Sequence, residues 1–72
     1  MNGKNILIIG AGGQIGTVLY DKLTERYGSD KVYATDIKAQ PERNIIELDV
    51  LDAEGLDKMI ETNKIQVIFH LA

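Results

Sequence analysis

Seven residues near the N-terminus, Gly10-Ala11-Gly12-Gly13-Gln14-Ile15-Gly16, combine the features of a phosphate-binding loop. They follow the apolar run Ile6-Leu7-Ile8-Ile9 and open an amphipathic segment that reaches about Tyr27. Backbone N–H groups at a helix N-terminus have no partner within the helix and lie at the positive end of its dipole. An anion binds there if no side chain blocks its approach, and glycine removes that block. The stretch therefore predicts a site for a phosphate ester.

The spacing of these glycines differs from the general dinucleotide pattern G-x-G-x-x-G, which counted from Gly10 requires glycine where this chain has Ile15. The pattern that fits is G-x-x-G-x-x-G on Gly10, Gly13 and Gly16, with Gly12 as an extra glycine. We expect the first to turn the chain off the strand, the second to admit a diphosphate, and the third to let the helix pack closely on the sheet. A merely flexible turn is the alternative, but the strand before it and the helix after it favour the site.

Asp36 is the second residue with a predicted chemical function. It ends the predicted strand Val32-Tyr33-Ala34-Thr35 and follows Gly16 by 20 positions, about the separation at which an acidic residue meets the ribose of a dinucleotide. A carboxylate there accepts hydrogen bonds from both ribose hydroxyls and repels a 2′-phosphate, which predicts NAD over NADP. Lys38 and Arg43 lie nearby and would weaken that preference. The alternative is an Asp that ends a strand without binding anything.

Composition limits the chain to one domain and favours a small ligand. A chain of 72 residues buries only about 60% of its unfolded surface, so its core is expected to be marginal. With no cysteine and one histidine, neither a disulfide framework nor a metal site is predicted. A net charge of −3 with scattered basic residues argues against nucleic acid. Because Met1-Asn2-Gly3-Lys4 runs directly into a short apolar strand, we expect no signal peptide, no membrane partner and a cytoplasmic location.

The remaining pattern predicts two helices and four strands in the order β-α-β-β-α-β. Residues 15, 18, 19, 23 and 27 form a helical stripe that predicts the buried face of the first helix, which Gly28 ends. The other strands are expected at 45–48 and 65–69, and a second helix after the N-cap Asp52, with Leu51 and Leu56 as a hydrophobic staple.

The predicted strands form a parallel sheet in the order 3-2-1-4. The link between the second and third strands is short for a parallel crossover, but an extended chain can cover the distance. Strand order reverses between strands 1 and 4, and ligands of such sheets bind at that point, beyond the carboxyl ends of the strands. Four candidate residues lie at those ends: Gly10, Asp36, Asp49 and His70. For His70, a structural function is expected rather than a catalytic one.

With these residues in place, the chain resembles the N-terminal part of the extended short-chain dehydrogenases/reductases, the NAD-dependent epimerase/dehydratase family. The resemblance covers nearly all of this sequence but about the first quarter of a typical member. It implies that residues 1–72 form the N-terminal half of an NAD-binding Rossmann domain, without the catalytic and substrate parts. The cofactor contacts it implies are Gly10, Gly13, Gln14, Ile15, Gly16, Asp36, Asp49, Val50, Leu71 and Ala72.

Two segments, Gln14-Ile15 and Ile46-Glu47-Leu48-Asp49-Val50, are most similar to the short-chain L-threonine 3-dehydrogenase branch of that family. A UDP-glucose 4-epimerase-like enzyme is the alternative. The resemblance implies a homodimeric parent enzyme in which a Tyr, paired with a Lys four residues later, removes the substrate's hydroxyl proton while hydride passes to NAD. Here the only such spacing, Tyr27 to Lys31, spans the helix end at Gly28, so no catalytic residue is predicted. A non-catalytic NAD-sensing module and an incomplete, inactive fold are the other hypotheses.

Overall fold

The computed structural model describes residues 4–71, which form an α/β unit of four strands and two α-helices. Predictions made on Met1–Gly3 and on Ala72 lie outside the described residues. The elements are β1 (Asn5–Ile9), α1 (Gln14–Tyr27), β2 (Val32–Asp36), the 3₁₀ turn Pro41–Arg43, β3 (Ile45–Glu47), α2 (Ala53–Thr62) and β4 (Ile65–His70).

The sheet has the order β3-β2-β1-β4, and all three strand pairs are parallel. The predicted order is therefore confirmed, including the parallel pairing of β2 with β3 across a short link. Two hydrogen bonds join the residues on either side of the 3₁₀ turn in this link. Gln40 N–H donates to Ile45 O (3.0 Å), and Ile45 N–H donates to Gln40 O (3.1 Å). Asn44 reverses the chain with a φ of 57°. A compact turn thus replaces the crossover helix that most parallel pairs need.

β1 is the centre of the core. Ile6, Leu7 and Ile8 are fully buried, because β1 has a neighbouring strand on each side and a packed layer on both faces. Ile6 and Ile8 belong to a cluster that includes Leu23 of α1 and Ala34 of β2. The uninterrupted apolar run in the sequence reflects this two-sided burial.

The predicted buried stripe of α1 is partly wrong. Leu23 is buried, but Ile15 and Val18 are 75% and 59% exposed. The buried residue of the first helical turn is Gly16. Gly16 packs against the backbone of Gly10 and Ala11 in the turn after β1. Because it has no side chain, a pattern of apolar residues cannot reveal this contact, and the face of α1 that packs on the core carries Leu19, Tyr20, Leu23 and Tyr27.

α2 begins as predicted at the N-cap Asp52, whose Oδ1 accepts from Gly55 N–H (3.1 Å). The predicted staple is wrong, because Leu51 is 88% exposed. A turn just before the helix directs Leu51 outward: its N–H donates to Asp49 Oδ1 (2.9 Å), and Asp52 N–H donates to Asp49 O (2.9 Å). Between residues 4 and 71, neither helix is long and apolar enough to cross a membrane.

We predict that Gly16→Ala destabilises the fold. A Cβ at this position would lie 2.5 Å from Gly10 O and 2.6 Å from Ala11 Cα, both backbone atoms that cannot move aside independently. The expected loss in the free energy of unfolding, measured by urea denaturation followed by circular dichroism, is about 1–3 kcal/mol. Gly13→Ala is the matched control, since its Cβ would meet no heavy atom within 4 Å. It is expected to cost less than about 1 kcal/mol, and equal losses in the two variants would contradict the packing argument.

Candidate functional site

The chain leaves β1 through a turn that β2 holds in place. Gly10 has a φ of 93°, a conformation that residues with a Cβ rarely adopt. The N–H groups of Gly10 and Ala11 both donate to Thr35 O, each at 2.9 Å. The turn is therefore fixed to the strand that carries Asp36, and the loop and the carboxylate cannot move independently.

The start of α1 is open. Gly13 is the N-cap residue, and no side chain caps the first turn. Gly13, Gln14 and Ile15 are all exposed. The first N–H groups of a helix lack intrahelical partners and lie at the positive end of the dipole. The surface at residues 13–15 thus offers backbone donors and partial positive charge without a side chain from Gly13 in front of them.

Asp36 is held beside this loop by two backbone hydrogen bonds. Its Oδ2 accepts from Gly12 N–H and its Oδ1 accepts from Ile37 N–H, both at 2.7 Å. The residue is half-buried. The carboxylate that the sequence predicted at the end of β2 is therefore oriented by the backbone and lies against the glycine loop.

Gly12, which the sequence analysis treated as an extra glycine, is the residue that allows this contact. A Cβ on Gly12 would lie 2.6 Å from Asp36 Oδ2 and 2.9 Å from Gln40 Nε2. The signal was present in the sequence, because Gly10 and Gly12 match the first two positions of G-x-G-x-x-G. Only the third glycine of that pattern is displaced, from position 15 to Gly16.

A cleft of about 170 Å³ extends from Asp36 along the carboxyl ends of the strands. Gly10, Asp36, Asp49 and Val50 line it together, so four of the predicted site residues meet here. Its other walls are the apolar residues Ile9, Ile37 and Leu48. A cleft lined by apolar residues and two aspartates suits a flat, partly polar ring.

The predicted residue Leu71 lies on the other side of β1. Its N–H donates to Ile9 O (2.8 Å), and it does not line the cleft beside Asp36. The predicted residues that lie within positions 4–71 thus form three patches around the carboxyl end of β1: the cleft, the start of α1 and the β4 side. His70 pairs with Ile9 in the β1–β4 register and is exposed.

Arg43 contributes a contact that sequence reasoning missed. Its Nη1 donates to Gln40 Oε1 (2.7 Å) and its Nη2 donates to Thr17 Oγ1. Thr17 Oγ1 in turn donates to Gly13 O (2.8 Å). The sequence suggested only a charge near Asp36, since nothing in it signals a contact between residues 17 and 43. The guanidinium instead joins the link after β2 to the first turns of α1.

A strand-order reversal beside β1, a glycine turn leading into a helix, and a carboxylate at the end of β2 together define a Rossmann-type nucleotide-binding unit. Comparison with models of protein families matches residues 6–72 to the NAD dependent epimerase/dehydratase family. The chain belongs to this family, and a small-molecule nucleotide cofactor is the class of ligand that membership implies.

Relatives and solved structures agree with this assignment. The chain is 40% identical over 75 residues to an uncharacterized epimerase/dehydratase of Staphylococcus saprophyticus, covering 96% of this chain and 23% of that protein. It is 36% identical over 70 residues to the inactive mitochondrial L-threonine 3-dehydrogenase of Homo sapiens, covering 90% and 30%. The structure of L-threonine dehydrogenase from Clostridium difficile superposes with a TM-score of 0.89 at 33% identity, covering 100% and 24%. The chain therefore spans less than a third of the length of these proteins.

We predict that the effects of substitutions at Gly12 and Asp36 are coupled. Gly12→Ala should lower the free energy of unfolding by about 1 kcal/mol, because the new Cβ would displace Asp36 Oδ2 from its hydrogen bond with Gly12 N–H. In an Asp36→Ala background that oxygen is absent, so the cost of Gly12→Ala should fall by at least about 0.5 kcal/mol. The measurement is a double-mutant cycle by urea denaturation. Gly16→Ala, whose clash involves other atoms, should cost the same in both backgrounds, and additivity at Gly12 would contradict the geometry.

Proposed function

We propose that this chain is the NAD-binding portion of an NAD-dependent oxidoreductase that oxidises a secondary alcohol in the manner of L-threonine 3-dehydrogenase. The observation that carries the proposal is the position of the Asp36 carboxylate, fixed by Gly12 N–H and Ile37 N–H at the end of β2. A carboxylate has about four lone-pair positions. Each oxygen therefore keeps capacity to accept a ribose hydroxyl while the backbone holds it in place.

In this proposal the cofactor lies across the three patches. The diphosphate binds the N–H groups at the start of α1, beside the open position at Gly13, while Gly10 and Gly16 shape the turn. The adenosine ribose binds Asp36, and the adenine occupies the cleft next to Asp49 and Val50. The nicotinamide half extends past Leu71 and Ala72. The arrangement of the cleft, the helix start and Leu71 around β1 supports this path.

NAD rather than NADP is the proposed cofactor. A 2′-phosphate carries close to two negative charges, and it would lie against the ionised Asp36. Two negatively charged groups in contact repel strongly where water is partly excluded. The half-buried, backbone-bound carboxylate has little freedom to turn away. The fixed position of the carboxylate therefore favours NAD over NADP.

The substrate is assigned by resemblance. L-threonine is favoured by the solved L-threonine dehydrogenase that superposes on the whole chain. A nucleotide-sugar epimerase or dehydratase is the second candidate, and the S. saprophyticus relative described as an epimerase/dehydratase favours it. In either enzyme bound NAD supplies the hydride acceptor, and the acid–base residues belong to parts of the longer protein beyond this unit. The proposal includes a homodimeric parent enzyme, which the family resemblance implies, and a cytoplasmic location, which is the expectation from the N-terminal sequence.

A non-catalytic NAD-sensing module is a candidate of a different class. The observation in its favour is the human relative that is described as inactive. The presence of a Tyr-x-x-x-Lys sequence downstream of this unit would favour the enzyme, and its absence would favour the sensor.

We predict that the chain binds NADH at least tenfold more tightly than NADPH, as measured by isothermal titration calorimetry. Gly13→Ala should weaken NADH binding at least tenfold without a matching loss in stability, since its Cβ meets only open space in this structure and would face the diphosphate. Equal affinity for both nucleotides would contradict the function of Asp36. Unchanged binding in Gly13→Ala would contradict the proposed position of the diphosphate.

We also predict that the full-length enzyme reduces NAD in the presence of L-threonine, followed by absorbance at 340 nm. Asp36→Asn should raise the KM for NAD at least tenfold, because the neutral amide accepts hydrogen bonds more weakly than the carboxylate. Its effect on kcat should be small, since this contact is distant from the reacting atoms. Interconversion of UDP-glucose and UDP-galactose without threonine oxidation would instead support the epimerase.

A further inference from the structure

The first peptide group of α1 is oriented by a side chain one turn further along the helix. Gly13 O accepts two hydrogen bonds from Thr17, one from its N–H (2.9 Å) and one from its Oγ1 (2.8 Å). Gln14 N–H belongs to the same planar peptide group and points the opposite way from that carbonyl. Because Gln14 is the first residue of α1, its N–H has no partner within the helix. The two bonds from Thr17 therefore fix the direction in which a free donor points.

Arg43 holds the Thr17 hydroxyl in the orientation that this contact requires. Thr17 Oγ1 accepts from Arg43 Nη2 and donates to Gly13 O. Because a guanidinium can only donate, the single hydrogen of the hydroxyl must point to Gly13. Arg43 Nη1 donates to Gln40 Oε1 (2.7 Å), which fixes the guanidinium to the link after β2. Arg43 and Thr17 are both half-buried, so water competes less for these contacts than at an exposed site.

These hydrogen bonds form one chain in which every donor points in the same sense. The chain runs from the Arg43 guanidinium through the Thr17 hydroxyl and the Gly13 carbonyl to Gln14 N–H. Each hydrogen bond in such a chain polarises the next, so the positive charge at one end strengthens the donor at the other. Arg43 donates to two uncharged side chains, and neither of them cancels its charge. The chain thus adds to the partial positive charge at the start of α1.

We propose that Arg43 and Thr17 are positioning residues for the cofactor diphosphate, which they influence through Gln14 N–H without contacting the cofactor themselves. The inference rests on the proposed function, since it takes the diphosphate to bind at the start of α1. A phosphate oxygen accepts from Gln14 N–H, and both the direction and the strength of that donor depend on the chain. The link after β2 therefore contributes to binding of the diphosphate from behind the helix start.

The adenosine half of the cofactor provides an internal comparison. Asp36 is held by Gly12 N–H and Ile37 N–H, and neither bond belongs to the chain that begins at Arg43. Loss of the chain should therefore weaken the binding of ligands that carry the diphosphate and leave the binding of adenosine unchanged. A general distortion of the glycine loop would instead weaken both.

The experiment measures dissociation constants for NADH by isothermal titration calorimetry, and for adenosine by NMR titration, on the native chain and five variants. These are Thr17→Val, Thr17→Ser, Arg43→Gln, Thr17→Val with Arg43→Gln, and Lys38→Gln. Thr17→Val keeps the shape of the side chain but removes the hydroxyl, and we expect it to weaken NADH binding about fivefold. Thr17→Ser keeps the hydroxyl and should bind NADH within about twofold of the native chain.

The double variant tests whether the two residues act through one chain. Arg43→Gln alone should weaken NADH binding about threefold. In the Thr17→Val background the chain is already broken, so the same substitution should change NADH binding less than about twofold. Lys38→Gln is the matched control for charge, because Lys38 belongs to the same link but is exposed. It should change NADH binding less than about twofold, and adenosine should bind all six proteins equally.

Unchanged NADH binding in Thr17→Val or in Arg43→Gln would overturn the proposal, as would additive effects of the two substitutions. Equal losses from Arg43→Gln and Lys38→Gln would overturn it too, because charge alone would then explain them. So would an equal weakening of NADH and adenosine, and where adenosine binds the native chain too weakly to follow, the NADH comparisons decide. Where circular dichroism shows that Arg43→Gln is unfolded, Thr17→Val against Thr17→Ser decides. Failure of the native chain to bind NADH would instead refute the proposed function itself.

Discussion

The hydrogen bond from Gly12 N–H to the Asp36 carboxylate is the interaction on which the site depends. It joins two residues separated by 24 positions in the chain, at 2.7 Å, and so connects the end of β1 to the end of β2. Thr35 O reinforces it by accepting from both Gly10 and Ala11. The strand that carries the carboxylate therefore also fixes the shape of the glycine turn. Because β1 and β2 pair in parallel, this pairing sets the distance between the glycine loop and the Asp36 carboxylate.

The glycines of the loop act mainly through the space they leave. At Gly16 a Cβ would strike the backbone of Gly10 and Ala11, so this glycine lets the first turn of α1 pack against the turn that follows β1. At Gly12 a Cβ would strike Asp36 and Gln40, so this one lets the carboxylate reach the loop. At Gly13 a Cβ would meet open space, so its absence has value only when a ligand is present. Gly16 is thus required for folding, Gly12 for the contact between the loop and Asp36, and Gly13 for the proposed binding of a ligand.

Sequence reasoning succeeded where a property is local. The apolar run of β1, the glycine turn and the Asp52 cap each depend on neighbouring residues, and the strand order follows from the general rules for parallel crossovers. It failed where a long-range contact decides. Ile15 and Val18 were predicted to be buried because the contact made by Gly16 leaves no apolar signal. The sequence predicted Arg43 only as a positive charge near Asp36, because its hydrogen-bond partner Thr17 is 26 positions away in the chain.

The division of the site around β1 has a consequence for how the unit works within a longer protein. The cleft beside Asp36 and the start of α1 are built entirely from β1, β2, β3 and the loops that follow them. On the other side β4 pairs with β1, and its residues Gln66, Ile68 and His70 are exposed. The groups proposed for the adenosine half are therefore positioned by contacts within these residues alone. In the proposed path the nicotinamide half lies toward β4, where the environment depends on what packs against that strand. The proposed path thus makes differences in substrate among members of the family compatible with a common adenosine site, because in it the two halves of the cofactor contact different sides of one buried strand.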